Sequence, residues 1–371
     1  MLWAAGACVA CGGGSEAARD GGSQDAPVGD GASADVASDV YVCGPNPFNC
    51  YNVVVGGDAG SLLPDPGVIF VETAGGHLVA DPTRNVVYVS MWEGTIKGIS
   101  TDTGQLAWQA NGPQGFPIEK LVVTDDGSKI YATGELSDWV VRWDVASRVA
   151  DLIINVSTDV NGPDVQDIAI IPGSPRSVLV AMDDRFIVFD DDVPRPVQVP
   201  AGGAVRLQPD SPTSAYVLDY SIAASLATLT LSATGVQAGT PVSGLFTVGV
   251  NEFMFDGELA YGDNGQVVDP RKGVLMGMYG PGGVAVDRSG NRAYVFPPPV
   301  FNVWEMFVDE YNRTGFTRLR SLKLSLQASS GGSLVRTANG TLALGSNASL
   351  HSGYHGVILI KPEAWSAASA P

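Results

Sequence analysis

Several apolar segments of this chain begin at polar or ionisable residues, which converge if the segments surround one axis. The pairs are Glu119-Lys120, Gln166-Asp167 and Asn251-Glu252, and His77 holds a comparable place. Carboxylate and amide oxygens can ligate a divalent cation, and with an imidazole and an ammonium they can hold a polar ligand. The predicted ligand site is His77, Glu119, Lys120, Gln166, Asp167, Asn251 and Glu252, with Glu119, Asp167, Asn251 and Glu252 as its metal-binding subset. The alternative is a set of ordinary solvated residues at strand starts.

Other catalytic arrangements find little support in the sequence. The chain has 3 histidines and no Gly-x-Ser-x-Gly motif, so hydrolysis by a Ser-His-Asp triad is not expected. His351 and His355 are four residues apart, but the glycines at 353 and 356 indicate a loop rather than a metal-binding helix face. The acidic runs at 125–126 and 190–192 lack the alternating spacing of a calcium loop and are interpreted as turns.

The charge balance limits the partners of the chain. Lys and Arg number 21 against 39 Asp and Glu, which gives a formal net charge of -18. Such a field repels nucleic-acid phosphates and anionic membrane surfaces. This leaves cations, neutral ligands such as sugars, or proteins as partners, and the chain itself is expected to be a monomer. None of the 4 cysteines lies beyond residue 50, so neither a thiolate nucleophile nor a Cys-ligated zinc is expected in the main domain.

Residues 1–11 read MLWAAGACVAC and resemble the end of a bacterial lipoprotein signal peptide, in which a small residue precedes the lipidated cysteine. The basic segment that usually opens such a signal is missing, and Cys8 stands where Leu is usual. The resemblance implies lipidation of Cys11. It also implies an exported, outer-membrane lipoprotein that faces the periplasm or the cell surface and touches the membrane only through its lipid.

Residues 12–50 precede the main domain and divide into two parts. The segment 12–42 has six acidic residues against one arginine and little to bury, which predicts a disordered acidic tether. In the segment 43–50, Cys43 and Cys50 enclose six residues that are mostly turn formers. This spacing predicts a local disulfide in an oxidising compartment.

A repeated unit dominates residues 51–366. It consists of an apolar strand of about four residues, a polar turn and a second strand that often centres on Tyr. Seven copies occur, at residues 77–88, 121–131, 168–179, 205–216, 252–261, 284–294 and 334–343. The six steps from Tyr88 to Ala343 cover 255 residues, a mean of about 42 per step, which matches a four-stranded propeller blade. The sequence therefore predicts an all-β, seven-bladed β-propeller, with 367–371 as a C-terminal tail.

Two further patterns concern the closure and the axis of the ring. The last copy is one strand short, and the apolar run Gly67–Val71 precedes the first copy, so this run is expected to complete the last blade. Gly-Gly precedes the inner strand in four copies, at 75–76, 202–203, 282–283 and 331–332. We attribute these glycines to crowding of the inner strands around the axis.

The segment Val86–Trp108 resembles one blade of the quinoprotein-type propeller repeat, with Asp102, Thr103, Gly104 and Trp108 at its Asp, Thr-Gly and Trp positions. The other copies, with Asp-Pro or Asp-Gly turns before a Tyr-Val strand, are similar to YVTN and lactonase-like surface propellers. These resemblances cover about residues 65 to 362 and imply the propeller fold and an envelope location. No quinone site is implied, because its cysteine pair or tryptophan platform is not found.

Two functions from different classes follow from these patterns. The first is an exported, lipid-anchored and noncatalytic propeller that binds a protein or a glycan on one face. The alternative is a metal-dependent hydrolase or lactonase with its site at the mouth of the central channel. A divalent cation is the single cofactor considered, and it belongs to the alternative.

Overall fold

The structure is a computed structural model that describes most of the chain after residue 60. The described residues are 40–43, 50–53, 61–62, 67–73, 75–91, 93–113, 116–134, 137–156, 164–220, 224–247, 249–298, 306–324, 332–346 and 356–367. Cys8, Cys11, His351 and His355 lie outside these ranges, together with the predicted signal segment and nearly all of the predicted tether. In the part of the chain that is described, no helix is long and apolar enough to cross a membrane.

The first strands of the chain stand before the repeats. Strands β1 (Val40–Cys43) and β2 (Cys50–Val53) form a separate antiparallel pair. Its register places the backbone of Cys43 opposite that of Cys50. Strands β3 (Ser61–Leu62) and β4 (Val68–Glu72) follow.

Seven antiparallel sheets then form the blades. Blade 1 contains β5 (Gly75–Ala80), β6 (Val86–Met91), β7 (Thr95–Ser100) and β8 (Leu106–Asn111). Blade 2 contains β9 (Lys120–Val123), β10 (Lys129–Thr133), β11 (Trp139–Asp144) and β12 (Val149–Asn155). Blade 3 contains β13 (Val165–Ile170), β14 (Ser177–Met182), β15 (Arg185–Asp190) and a split outer strand, β16 (Val193–Pro194) and β17 (Val199–Pro200). Blade 4 contains β18 (Val205–Ser211), β19 (Ser214–Asp219), β20 (Ser225–Ser232) and a second split outer strand, β21 (Gly235–Ala238) and β22 (Val242–Ser243).

The remaining blades complete the ring. Blade 5 contains β23 (Phe253–Phe255), β24 (Ala260–Gly262), β25 (Gln266–Asp269) and β26 (Val274–Met278). Blade 6 contains β27 (Gly283–Asp287), β28 (Arg292–Phe296), β29 (Met306–Asn312) and β30 (Arg318–Leu324). Blade 7 contains β31 (Gly332–Arg336), β32 (Leu342–Ser346) and β33 (Gly356–Ile360), followed by a 3₁₀ turn at Pro362–Ala367. Inner strand β5 packs against β9 on one side and β31 on the other, so the first and last blades are neighbours.

The predicted seven-bladed propeller is confirmed, and the N-terminal strand closes it. Strand β4 pairs with β33 in blade 7, and the register joins Val68 to Ile360 and Glu72 to Gly356. Val68, Ile69 and Val71 are buried in this position. The hydrophobic core lies between successive blades, where both faces of each middle strand are covered. Strand β14, for example, is buried along its whole length.

In two of the Gly-Gly pairs, a glycine makes a close contact within its own blade rather than at the crowded axis that was predicted. A Cβ at Gly76 would lie 2.7 Å from Oγ of Ser90, which belongs to the second strand of the same blade. Gly282 has φ +143, and a Cβ there would overlap the carbonyl oxygen of Phe296, also in its own blade. These two glycines therefore allow close approach within a blade rather than between blades.

Buried ion pairs hold the blades together at the turns that follow the inner strands. The carboxylate of Asp256 accepts a 2.7 Å hydrogen bond from Nε of Arg313, which comes from the next blade, and another from Oη of Tyr261. Burial opposes its charge, but these hydrogen bonds hold the pKa of Asp256 below its ordinary value. In blade 1, Asp81 binds Arg84, whose guanidinium reaches the carbonyl oxygen of Gly127 in blade 2. The predicted ligand residues lie at the opposite end of the ring, where the inner strands begin.

Candidate functional site

One position of the inner strand recurs in every blade at the channel mouth. It comes one residue before the apolar residues that hold equivalent places in the ladder to the second strand, namely Leu78, Leu121, Ile168, Leu207, Phe253, Val284 and Leu334. The strand registers identify the residues that occupy it. In blade order they are His77, Lys120, Asp167, Arg206, Glu252, Gly283 and Ser333. We call these seven residues the mouth ring, and the face at which the inner strands begin is the mouth face. From Lys120 to Glu252 the ring alternates positive and negative side chains.

His77 connects blades 1 and 2. Its backbone N–H donates to Oγ of Ser90, and its Nδ1 accepts a 3.4 Å hydrogen bond from the backbone N–H of Leu121. Desolvation, followed by the nearby ammonium of Lys120, lowers the pKa of His77 to about 3. The imidazole is therefore neutral at physiological pH, with its proton on Nε2.

Asp167 connects blades 2, 3 and 4. Its side chain is fully buried and forms an ion pair with Nζ of Lys120. One carboxylate oxygen also accepts the N–H of Ile168 at 2.8 Å, and the other accepts the N–H of Leu207 at 2.7 Å. Because a buried carboxylate is stable only when it is paired and hydrogen-bonded, these contacts account for its burial.

Arg206 connects blades 4 and 5. Its Nε donates a 2.5 Å hydrogen bond to Oε1 of Glu252, and its guanidinium lies 5.1 Å from the ring centroid of Tyr220. Desolvation disfavours the charge of Arg206, but Glu252 and Asp167 raise its pKa above the ordinary value. The side chain of Glu252 is 56% exposed, so this pair faces solvent at the mouth. Arg206 and Glu252 therefore present a polar surface rather than a closed structural link.

The structure brings together four of the predicted site residues and separates three. His77, Lys120 and Asp167 lie in one connected cluster, and Glu252 joins it through Arg206. Glu119, Gln166 and Asn251 instead precede the mouth ring by one residue. Their described contacts run to the end of the second strand of their own blade, at Thr133, Asp183 and Asp263 respectively.

Arg206 was missed in the sequence because the Gly202-Gly203 pair was taken to occupy the mouth position of blade 4. The register instead pairs Leu207 with Val217, as it pairs Leu121 with Ala132 in blade 2. Arg206 therefore stands at the place of Lys120, and the glycine pair lies further from the strand. The useful signal was the apolar residue itself, since Arg206 precedes Leu207 as Lys120 precedes Leu121.

The predicted metal set of Glu119, Asp167, Asn251 and Glu252 stays a prediction. Among the residues described, no three His, Cys, Asp or Glu side chains form a group that could hold a metal ion. Both oxygens of Asp167 already accept hydrogen bonds, and Glu252 is paired with Arg206. The side chains of Lys120 and Arg206 therefore supply the positive charge that a metal ion would contribute at these carboxylates.

The arrangement at the mouth suits recognition of a polar surface. Lys120 and Arg206 form ion pairs with the two carboxylates, and the exposed carboxylate of Glu252 can accept a hydrogen bond from a ligand. Beside the ring, β11 begins on the mouth face at Trp139, whose side chain is 40% exposed. Exposed aromatic and charged groups on one rigid face are typical of binding surfaces.

Comparison with known proteins supports the fold alone. No family model matches the chain, and a search of curated proteins found no match. Among solved structures, that of U3-55K, a WD40-type propeller, superimposes with a TM-score of 0.59 over 80% of this chain and 98% of the other, at 13% identity. The chain has the propeller fold. At this identity the similarity carries no information on ligand or activity.

Proposed function

We propose that this protein is a noncatalytic binding module that recognises a protein or polysaccharide of the cell envelope on its mouth face. The observation that carries the proposal is the mouth ring, in which alternating charges from four successive blades are mutually compensated. Side chains that are held in ion pairs keep fixed positions, and a fixed pattern of charge favours recognition of a partner. Fold similarity to a solved propeller adds only that the scaffold is suited to binding.

The individual residues at the mouth support binding rather than catalysis. His77 has a pKa of about 3, far from the neutral range in which a general base works best. Asp167 has no free oxygen for a substrate proton, because its two oxygens accept backbone and ammonium hydrogens. Glu252 and Trp139 are exposed, and they can contact a ligand on the mouth face.

We also propose that the chain reaches the envelope through a lipid on Cys11 and that Cys43 and Cys50 form a disulfide before the domain. The antiparallel backbone register of Cys43 and Cys50 supports the second part. Expression from its natural start in a lipoprotein-processing host should give a detergent-partitioning protein with lipid on Cys11. A fully soluble, unmodified product, or two thiols that react freely with a maleimide without reduction, would contradict these assignments.

The binding proposal is tested by a variant that removes the exposed carboxylate of the ring. Glu252→Gln takes away this charge and leaves Arg206 in place beside Asp167. We expect it to lose capture of envelope proteins or envelope polysaccharide while its thermal midpoint stays near that of the wild type, because the exposed pair contributes little to stability. Asp192→Ala, an exposed change in a turn of the opposite face, is the control and should bind normally.

A further inference from the structure

The last segment of the chain that the structure describes lies at the junction where the ring closes. Strand β33 ends at Ile360, and residues 361–367 continue into the 3₁₀ turn on the face opposite the mouth. Strand β4 begins at the same place, because it runs antiparallel to β33 and pairs Val68 with Ile360. The backbone N–H of Lys361 donates a 2.8 Å hydrogen bond to the carbonyl oxygen of Gly67, the residue before β4. The segment therefore meets the closing strand at its start.

Gly67 allows the turn to approach the closing strand closely. Its φ is +80, a conformation that favours glycine. A Cβ at this position would lie 2.9 Å from the backbone nitrogen of Ala364 and 2.9 Å from Cγ of Glu363. A larger residue would therefore push the turn away, and with glycine the turn packs directly against the start of β4.

The same turn packs onto blade 6. Trp365 is 4% exposed, and the centroid of its ring lies 5.3 Å from that of Tyr294 on β28. The guanidinium of Arg320 on β30 lies 5.1 Å from the Trp365 ring centroid, and Nη1 of Arg320 donates a 2.7 Å hydrogen bond to the Trp365 carbonyl oxygen. Aromatic and cation–π contacts of this kind add to the free energy gained by burying the ring. Trp365 thus anchors the segment on the blade before the closing blade.

A lysine connects the segment to blade 1. Nζ of Lys361 donates a 2.8 Å hydrogen bond to the carbonyl oxygen of Asp102, in the turn between β7 and β8. Nδ2 of Asn339 in blade 7 donates to the carboxylate of the same Asp102 at 2.9 Å. Residues 361–367 thus contact the closing strand and both blades that flank blade 7.

Going beyond the proposed function, we infer that residues 361–367 are a clasp that keeps the closing strand in the ring, and that β4 leaves the ring only when the clasp is released. Strand β4 has five residues and pairs with β33 on one side and with the two-residue β3 on the other. Elements with few contacts open locally before the whole fold unfolds. The clasp opposes this opening by fixing Gly67 to blades 6 and 1. Its release would expose the edge of β33.

Hydrogen–deuterium exchange of the full 371-residue chain under native conditions, measured on peptides that cover β4 and β14, tests the inference. We expect the β4 amides to exchange at least tenfold faster in Trp365→Leu than in the wild type, and at least threefold faster in Lys361→Met. The second variant removes only the contact with blade 1, so it decides the result if Trp365→Leu does not fold. Strand β14, which is buried along its whole length in blade 3, reports global unfolding.

Two matched controls lie far from the junction. Trp143→Leu changes a fully buried tryptophan of blade 2, and Lys272→Met removes a lysine that pairs with Asp269 in blade 5. Trp143→Leu should speed exchange of β14, and neither control should change the exchange of β4, because the residues of both stay in place while β4 opens. Exchange of β4 that is unchanged in the clasp variants, or is raised as much by the controls, would overturn the inference. No ligand is needed, so the result is independent of the proposed function.

Discussion

Lys120 on the inner strand of blade 2 forms an ion pair with Asp167 on the inner strand of blade 3, and the Asp167 carboxylate is fully buried. The same carboxylate accepts the backbone N–H of Leu207 in blade 4. Two side chains thus join three blades next to the channel mouth. This link fixes the inner strand that carries Arg206, the partner of the exposed Glu252.

Removing the cation of the buried pair should destabilise the propeller strongly. Lys120→Met leaves the Asp167 charge buried without its partner, and we expect a loss of about 3 kcal/mol in the free energy of unfolding. Glu252→Gln is the comparison, because the exposed pair with Arg206 should contribute less than about 1 kcal/mol. Urea unfolding of both variants measures the difference. Equal losses would contradict the assignment of Asp167 as the structural member of the ring.

The pH dependence of stability should contain a contribution from His77. Its pKa is about 3 in the folded protein against 6.5 for a solvated histidine, so between these values the unfolded chain binds more protons. Stability from this group is therefore complete above pH 6.5 and falls as the pH decreases toward 3. Between about pH 6.5 and 4.5, the free energy of unfolding of the wild type should fall because of this group. We expect the fall in His77→Gln to be smaller than in the wild type by on the order of 2 kcal/mol. Parallel urea series for both proteins at each pH measure this, and superimposable pH profiles would refute it.

Loss of the closing strand should open the ring. Deleting residues 1–60 leaves β4 in place, whereas deleting 1–72 removes Val68, Ile69 and Val71 and exposes one edge of β33. The buried apolar area of these side chains predicts a loss of about 5 kcal/mol, with aggregation through the open edge. Thermal unfolding of the two truncations tests this. Equal midpoints would show that closure contributes little.

Much of the fold could be predicted because each blade repeats one pattern. The strand–turn–strand unit located all seven inner pairs, and Gly67–Val71 was correctly assigned to the last blade, where the strand covers Val68–Glu72. The cause of the glycines could not be predicted, because it depends on contacts such as that of Gly76 with Ser90. Such contacts depend on the register of the paired strands and on how closely their backbones approach each other, and composition specifies neither.

The site was predicted only in part for a related reason. Lys120, Asp167 and Glu252 stand at equivalent ring positions, but the sequence did not indicate which neighbour each would meet. The glycine pair of blade 4 was taken for the mouth position and hid Arg206, which pairs with Glu252 as Lys120 pairs with Asp167. Both carboxylates of the ring are therefore bound to a cation of the chain itself, which the sequence did not indicate.

The metal-site hypothesis has its own test. Because Asp167 and Glu252 are already paired with cations, we expect calcium, magnesium, manganese and zinc to leave the thermal midpoint of the wild-type protein unchanged. A bound ion at a hundredfold excess over its dissociation constant would stabilise the fold by about 2.7 kcal/mol. A shift of that size that disappears in Glu252→Gln and Asp167→Asn would favour the metal-dependent hydrolase instead.

The most direct test of the mouth face is a binding titration with three immobilised proteins: the wild type, Trp139→Ala and Asp192→Ala. Solubilised envelope proteins and purified envelope polysaccharide are passed over each in separate experiments, and any captured ligand is titrated. We predict that one of these fractions binds the wild type and Asp192→Ala equally and binds Trp139→Ala at least tenfold more weakly. No binding by the wild type, or equal binding by all three proteins, would contradict the assignment of the mouth face as the recognition surface.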